Sequence, residues 1–342
     1  MSAGLRVLDP GLHTTVQDLG RIGYQALGVP VSGALDGFAL RLGNALVGNP
    51  PEKAALEILY SGPALEVVAD SVCVAVAGIG AAMALEGERA HVVPAWQSAS
   101  LLRGDVFRII LGVDSVCAYL VVEGGIAVPS VLGSASTYLR AGLGGFEGRA
   151  LRRGDLVPVA GAHASERAEQ HLPAPLLSTG DRPIRVILGP QQECFSEEAV
   201  ATLLGAEFRV STSADRMGMR LEGPRLHHRD GWDIVSDAIA TGAIQVPGSG
   251  QPILLLADHQ TTGGYPKIAT VISADLPVVG RRRPGDKLRF EAVGVAEAEQ
   301  LARDEEQRLT ALIASFAAVG GGIDVGTLYA GNLISGVVSG RE

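Results

Sequence analysis

Cysteine is nearly missing from this chain of 342 residues. The three present, Cys73, Cys117 and Cys194, are far apart, odd in number and free of CxxC spacing. That excludes a disulfide framework and a zinc cluster and fits a reducing compartment. Lysine is as scarce, and none of Lys53, Lys267 and Lys287 has a Met beside it, which excludes the Met-Lys-Met hairpin tip of a biotin carrier. The net charge of −9 leaves no basic footprint, so no nucleic acid partner is expected. The longest apolar stretch, residues 72–85, is interrupted by Gly78 and Gly80 and is too short to cross a bilayer. Residues 1–15 hold no apolar signal core. A cytoplasmic protein with no membrane partner is expected. GxxxxGK(S/T), HExxH and GxSxG are absent and His227-His228 is an isolated pair, so no P-loop, metal site or nucleophile elbow is expected.

What is abundant is apolar and small. Hydrophobic residues make up 47% and glycines number 45, which suits a compact, turn-rich core. The length favours two domains. Between residues 55 and 159 short apolar segments (65–68, 72–76, 91–93, 106–111 and 119–122) are separated by Gly, Asp and Pro, the pattern of a β-barrel or sandwich. Strands are also expected at 5–8, 184–188 and 208–210. Asp36 caps a helix closed by Gly48-Asn49, and Ser196 caps a second that ends at Gly205. Residues 295–316 form a long amphipathic helix whose charge run faces solvent. Residues 160–175 read as a linker or surface excursion. The chain divides into 1–175, 176–292 and 293–342, the last a helix with a Gly-rich tail.

Three stretches concentrate polar groups among small residues. Residues 247–272 hold an apolar strand (253–257), then Asp258, His259, Gln260, Thr261, Thr262, Gly263, Gly264 and Tyr265, then Lys267 and a second apolar run (268–272). This reads either as a hairpin turn or as a strand end that presents a site, its glycines opening the backbone to a ligand. Residues 14–36 read as a structured loop carrying Gln17, Asp18 and Arg21. That Asp and Arg either brace each other or leave the arginine fork for a carboxylate, phosphate or ureido oxygen. Residues 211–223 read as a second polar loop, and ADRMGMRL there resembles QDLGRIGYQ at 17–25. An apolar strand, a glycine pair and a basic-Gly-Asp turn also recur in residues 118–159 and 252–290, with a third such turn at Arg103. Two coincidences in the same order point to duplicated β-domains with a ligand cleft between them, lined by the two acid-Arg loops.

The segments TTVQDLGRIGYQALGVPVSGALD, GNALVGNP, ALEI, SADRMGMRLEG, AIQVPGSGQPILLLADHQTTGGYPKIATVISADL and RPGDKLRF resemble the KipA-type family over residues 5–292. That family is also described as the 5-oxoprolinase C subunit, allophanate hydrolase subunit 2 or biotin-dependent carboxyltransferase. The resemblance implies a mainly β chain with a few helices and two cyclophilin-like β-barrel domains. The partners it implies are a KipI-type B subunit and, in an oxoprolinase, a LamB/YcsF-type A subunit. The implied function is that of the C subunit in an ATP-dependent 5-oxoprolinase that hydrolyses a lactam to glutamate, active only with partner subunits, with ATP acting at the level of the complex. Two alternatives stay open. One is a carboxyltransferase subunit moving CO2 from carboxybiotin on a separate protein to urea or a related amide; the other is a non-enzymatic regulator that binds a KipI-like partner.

Attack on an amide or urea needs donors aimed at a developing oxyanion and an arranged proton acceptor. The resemblance makes Arg21 and Arg216 the candidate donors, with the backbone amides of Thr262, Gly263 and Gly264. Asp18, Asp215 and Asp258 are the candidate proton acceptors or orienting groups. Gln245, Gln251 and Gln260 are candidates to recognise an amide, and Lys267 to balance phosphate or carboxylate charge. Gln17, Thr261 and Tyr265 complete the expected substrate-binding set.

Overall fold

Alternating apolar and polar residues in the first half make strands with a face to bury. In the computed structural model, which describes residues 3–174 and 182–320, they form two antiparallel sheets over one core. One sheet orders Leu156–Pro158, Gly4–Asp9, Ala64–Val67, Val106–Ile110, Ala82–Leu85 and Val92–Pro94. The other orders His13–Gln17, Ala55–Leu59, Cys117–Val122, Ser71–Ala77 and Ser98–Leu102. Leu5, Leu56, Leu65, Met83, Phe107 and Leu120 fill the space between and are fully buried. Each such side chain contributes about 1.5–3 kcal/mol.

The second half builds an eight-stranded sheet in the order Lys287–Leu288, Phe208–Asp215, Gly218–Glu222, Ile253–Leu255, Ala243–Gln245, Lys267–Val271, Ile184–Leu188 and Phe290–Ala292. Its edge strands are consecutive in the chain, parted by Arg289 alone, so the sheet nearly closes into a barrel. The fold is mainly β, with four α-helices among the described residues.

One turn recurs three times along the chain. Gly104, Gly154 and Gly285 each sit at positive φ, +89°, +92° and +95°, and each precedes an aspartate. Asp105, Asp155 and Asp286 accept, through Oδ2, from the N–H of Leu102, Arg152 and Arg283 at 2.8, 2.7 and 2.8 Å. The three glycine N–H groups donate to the carbonyls of Val67, Val7 and Val210 at 2.9, 2.8 and 2.8 Å. Those valines donate back to the aspartate carbonyls at 2.9, 2.8 and 2.9 Å. The same device therefore seats a strand twice in the first half and once in the second.

Helix α1 (Gly37–Leu46) starts where Asp36 accepts from Ala39 N–H at 2.9 Å, and it buries Phe38, Leu42 and Leu46. Helix α2 (Glu197–Gly205) is capped by Ser196, and α3 (Leu276–Gly280) is short. Helix α4 (Val295–Ala314) ends two residues before the expected limit. Its charge run is not wholly solvated. Glu306 pairs with Arg41 at 2.5 and 2.7 Å, and the Arg308 guanidinium lies 4.2 Å from the Phe38 ring centre, so α4 docks on α1 through planar, paired groups.

Three local expectations change, and one open alternative is decided. Residues 14–17 belong to the strand His13–Gln17, paired with Ala55–Leu59, because their side chains are buried on both faces. Residues 160–174 are a surface excursion bound back to the first half. There Ser100 N–H donates to Glu169 at 2.6 Å, and Gln170–His171 pairs with Ala317–Ala318. Ile253–Leu255 and Lys267–Val271 do not form a hairpin, since Ala243–Gln245 lies between them. Residues 211–223 are a hairpin rather than a loop. The Gly-rich tail, residues 321–342, lies outside the described residues. Among those described, no helix is long and apolar enough to cross a membrane, and the three cysteines are free.

Candidate functional site

The hairpin of the second half reaches into the first. Phe208–Asp215 and Gly218–Glu222 are joined by Arg216-Met217, and Asp215 sets the turn by accepting from Met217 and Gly218 N–H at 2.8 and 3.3 Å. The turn drives Arg216 inward, where it is 4% exposed. Its Nε donates to Asp258 at 2.9 Å and its Nη2 to Gly33 O at 2.6 Å, while Nη1 pairs with Glu57. Glu57 is fully buried in Ala55–Leu59 and also accepts from Leu35 N–H at 2.8 Å and Tyr119 O–H at 2.7 Å. Burial works against the Arg216 charge, but Glu57 and Asp258 outweigh it and hold the guanidinium above its ordinary range. Arg216 is thus a clamp between the halves with every nitrogen engaged, not the free oxyanion donor expected. Asp258 is its counter-ion rather than a free proton acceptor.

The other acid-Arg pair lies elsewhere. Among the described residues Asp18 and Arg21 form no ion pair with each other. Asp18 accepts from Gly20 N–H at 2.8 Å, Ala135 N–H at 2.6 Å, Ser134 Oγ at 2.6 Å and Ser136 Oγ, which commits its carboxylate to four donors within the fold. Arg21 donates through Nη2 to Ser136 O, and Gln17 Nε2 donates to Thr15 Oγ1 and Thr137 O, each at 3.1 Å. Arg21 Nε and Nη1 and Gln17 Oε1 are buried without a partner among the described residues. Burial lowers the Arg21 pKa, with Asp18 opposing. Asp18 borders a separate hollow of about 470 Å³ beside Lys53 and Gly124. The two acid-Arg loops therefore do not line one cleft.

Two adjoining hollows surround the hairpin tip. One of about 260 Å³ is lined by His13, Tyr60, Asp215, Arg216, Asp258 and Arg282 over Leu35, Leu59 and Met219. The other, of about 420 Å³, is lined by Arg140, Thr212, Ser213, Asp215, Arg220, Gln245, Gln260 and Tyr265 over Ile253 and Leu255. Both share Arg140, Asp215 and Met217, so their walls come from both halves of the chain. Burial and the nearby Arg216 charge push the His13 imidazole below its ordinary value, and its Nε2 has no partner among the described residues. Tyr60 takes a left-handed backbone (φ 68°) and its hydroxyl donates to Ala214 O at 3.4 Å.

The stretch after Ile253–Leu255 forms one wall. Gln260 Nε2 donates to Gln245 Oε1 at 3.3 Å, and Gln245 Nε2 reaches Tyr265 O at 3.5 Å, both long bonds. Gly263 matters for closeness, not for a left-handed angle: an added Cβ would lie 2.7 Å from Gln245 Nε2. Thr262–Gly263 pairs with Asp237–Ala238, Thr261 O accepts from Ile239 N–H at 3.0 Å, and Gly264 O accepts from Ile234 N–H at 2.8 Å. That backbone belongs to a ladder rather than to an amide nest. Lys267 is 1% exposed and donates to Asp237 Oδ2 at 2.9 Å and Ala238 O at 3.1 Å, which holds Asp237 below the usual carboxylate range. Lys267 is thus committed within the fold. Gln251 braces Gly223 O at 3.1 Å, outside both hollows.

Sequence reasoning missed Glu57, His13, Tyr60, Arg140 and Arg220. A lone charge in the apolar strand ALEIL could have flagged Glu57, and His13 opens an alternating strand. Nothing local marks Arg140, and Arg220 lies inside SADRMGMRLEG, where the acid-Arg pattern selects Arg216 instead. Among the described residues no group of three or more His, Cys, Asp or Glu is placed to hold a metal ion.

Residues 27–292 match the family described as carboxyltransferase domain, subdomain A and B. The 5-oxoprolinase C subunit of Haemophilus influenzae is 37% identical over 301 residues, covering 88% of this chain and 94% of that protein. The 5-oxoprolinase C subunit of Escherichia coli is 36% identical over 304 residues, covering 89% and 96%. The crystal structure of the K. lactis urea amidolyase superposes with a TM-score of 0.81 at 30% identity over 91% of this chain, which spans 20% of that longer one.

Proposed function

The chain belongs to the carboxyltransferase family built from subdomains A and B, and we propose that it serves as the C subunit of a 5-oxoprolinase complex, acting in hydrolysis of the lactam of 5-oxoproline to glutamate. The observation that carries this reading is the cleft at the hairpin tip. It sets the half-buried His13 imidazole, held below its ordinary value by desolvation, together with Arg140 and Arg282 around a space sized for a small amide. The resemblance to two proteins named as 5-oxoprolinase C subunits, at 36–37% identity over most of their length, supports it.

An amide carbonyl resists attack because its nitrogen donates into it. His13, uncharged near neutral pH, is placed to take the proton released as the nucleophile adds. Arg282 borders the same space, where a guanidinium stabilises negative charge growing on the lactam oxygen, while Arg140 lies where this hollow meets its neighbour. The chain has no Gly-rich phosphate loop and, among the described residues, no metal-holding cluster, so its residues do not fit an ATP–metal pair. ATP is assigned to the complex, whose other members are proposed to be a KipI-type B subunit and a LamB/YcsF-type A subunit.

The amidolyase superposition favours a second reading, carboxyl transfer to urea or a related amide. Carboxybiotin on a separate protein would supply an activated carboxyl group, and the Gln245 and Gln260 amides face a hollow that could receive its ureido ring. Glutamate release from 5-oxoproline by this chain with its partner subunits separates the two. ATP-dependent release that disappears when this chain is omitted is expected. No release from a stable complete complex would refute it, and avidin-sensitive turnover of urea would then support the second reading.

A further inference from the structure

Most arginines beside a carboxylate in this fold are paired, but Arg140 and Arg220 are not. Neither guanidinium has an ion pair or hydrogen bond among the described residues, and both line the 420 Å³ hollow. They come from different halves: Arg140 from the turn Leu139–Ala141, Arg220 from the strand Gly218–Glu222. Asp215 is the one other charged side chain in that lining, and its Oδ1 is turned back on the Met217 and Gly218 amides. The hollow is therefore locally cationic in a chain of net charge −9. On its wall the buried Gln245 amide makes long, weak bonds, 3.3 and 3.5 Å, and so keeps donor and acceptor capacity for a better partner.

We propose that Arg140 and Arg220 form a carboxylate-binding subsite, and that the hollow selects small ligands in which a carboxylate and an amide belong to the same molecule. The two guanidinium forks take the carboxylate. The Gln245–Gln260 pair takes the amide, whose carbonyl accepts from a side-chain N–H while its own N–H donates to a side-chain oxygen. Thr212 and Ser213 supply hydroxyls at the rim, and Ile253 and Leu255 supply an apolar floor for a short aliphatic ring. The inference rests on the lactam-hydrolase reading for its choice of ligand. It goes further in assigning the carboxylate a receptor of its own, and in excluding neutral urea as a good occupant of this hollow.

The test is titration calorimetry and ligand-observed NMR on the full chain, wild type and R140A/R220A. The probes are 5-oxoproline, 2-pyrrolidinone, cyclopentanecarboxylate and inorganic phosphate. Wild type is expected to bind 5-oxoproline about tenfold or more tightly than either single-function analogue, with the advantage over 2-pyrrolidinone weakening in salt. The double variant is expected to erase that advantage while leaving 2-pyrrolidinone within about twofold, as loss of a charge contact alone requires. Q245A is expected to weaken 5-oxoproline and 2-pyrrolidinone together. Absence of binding, binding indifferent to both arginines, or phosphate and cyclopentanecarboxylate binding as well as 5-oxoproline would each overturn the subsite. A complete complex that releases glutamate with an unchanged KM after R140A/R220A would overturn the subsite and leave the function standing. A complex inert toward 5-oxoproline, with arginine-dependent binding intact, would overturn the function and leave the subsite.

Discussion

Arg216→Ala is the substitution with the largest expected effect on stability. It leaves two buried carboxylates facing each other, since the Glu57 side chain is 0% and the Asp258 side chain 6% exposed. Removing one partner of a buried ion pair costs about 3–5 kcal/mol, because the remaining charge is uncompensated. Gly33 O also loses its donor, which adds about 1 kcal/mol. A loss of roughly 4–6 kcal/mol follows, against a total stability on the order of 5–15 kcal/mol. Urea unfolding followed by circular dichroism reads it as a lowered midpoint. Glu57→Gln is expected to cost less, about 1–3 kcal/mol, because an amide oxygen still accepts from Leu35 N–H and Tyr119 O–H. The double variant is expected to be more stable than the two losses added together, by about 0.5–3 kcal/mol, since neutralising Glu57 removes part of the repulsion that R216A creates. An R216A protein within about 1 kcal/mol of wild type, or strictly additive losses, would refute the clamp.

Four further outcomes are expected. Burial holds the His13 and His259 imidazoles below their ordinary value, so the unfolded chain binds more protons than the folded one. Stability should be full above about pH 6.5 and fall as pH drops toward their folded values; His259→Asn should flatten that limb in midpoints measured from about pH 7.5 to 5.5. Gly43→Ala should destabilise by about 1–3 kcal/mol despite a better helix residue, because its Cβ would lie 2.7 Å from Ala77 Cβ. Gly205→Ala, with nothing within 4 Å, should be neutral or slightly stabilising, and thermal melts of the two variants read both effects. Asp36→Ala should lose about 1 kcal/mol of capping that Asp36→Asn retains, and equal melting temperatures for the pair would discount the cap.

The β architecture was legible where patterns are local. Short apolar runs between Gly, Asp and Pro located the strands, Asp36 and Ser196 located two helix starts, and the Gly-Asp dipeptides located turns that proved to share one hydrogen-bond scheme. Strand order was not legible. The run at 253–272 looks like a hairpin because its two apolar segments are close in sequence, yet Ala243–Gln245 intervenes between them. Residues 211–223 looked like a loop because polar side chains dominate, although a strand at a barrel rim can carry them on its exposed face.

The site was legible in a skewed way, and the skew has a physical cause. Asp18, Arg216, Asp258 and Lys267 all lie in the long, distinctive segments, and all are buried with their polar atoms engaged inside the protein. A buried polar group must find partners at fixed positions, and that requirement shapes the residues around it into a recognisable string. Arg140 and Arg220 need no internal partner. They need only to arrive at the same hollow after the two halves pack, so Arg140 lies outside every distinctive segment and Arg220 stands in one that is shaped around Arg216. The distinctive segments thus carry both the side chains built into the fold and three that face the hollow, Arg220, Gln245 and Gln260. The groups left free to meet a ligand must be sought among the charges that the folded network does not use.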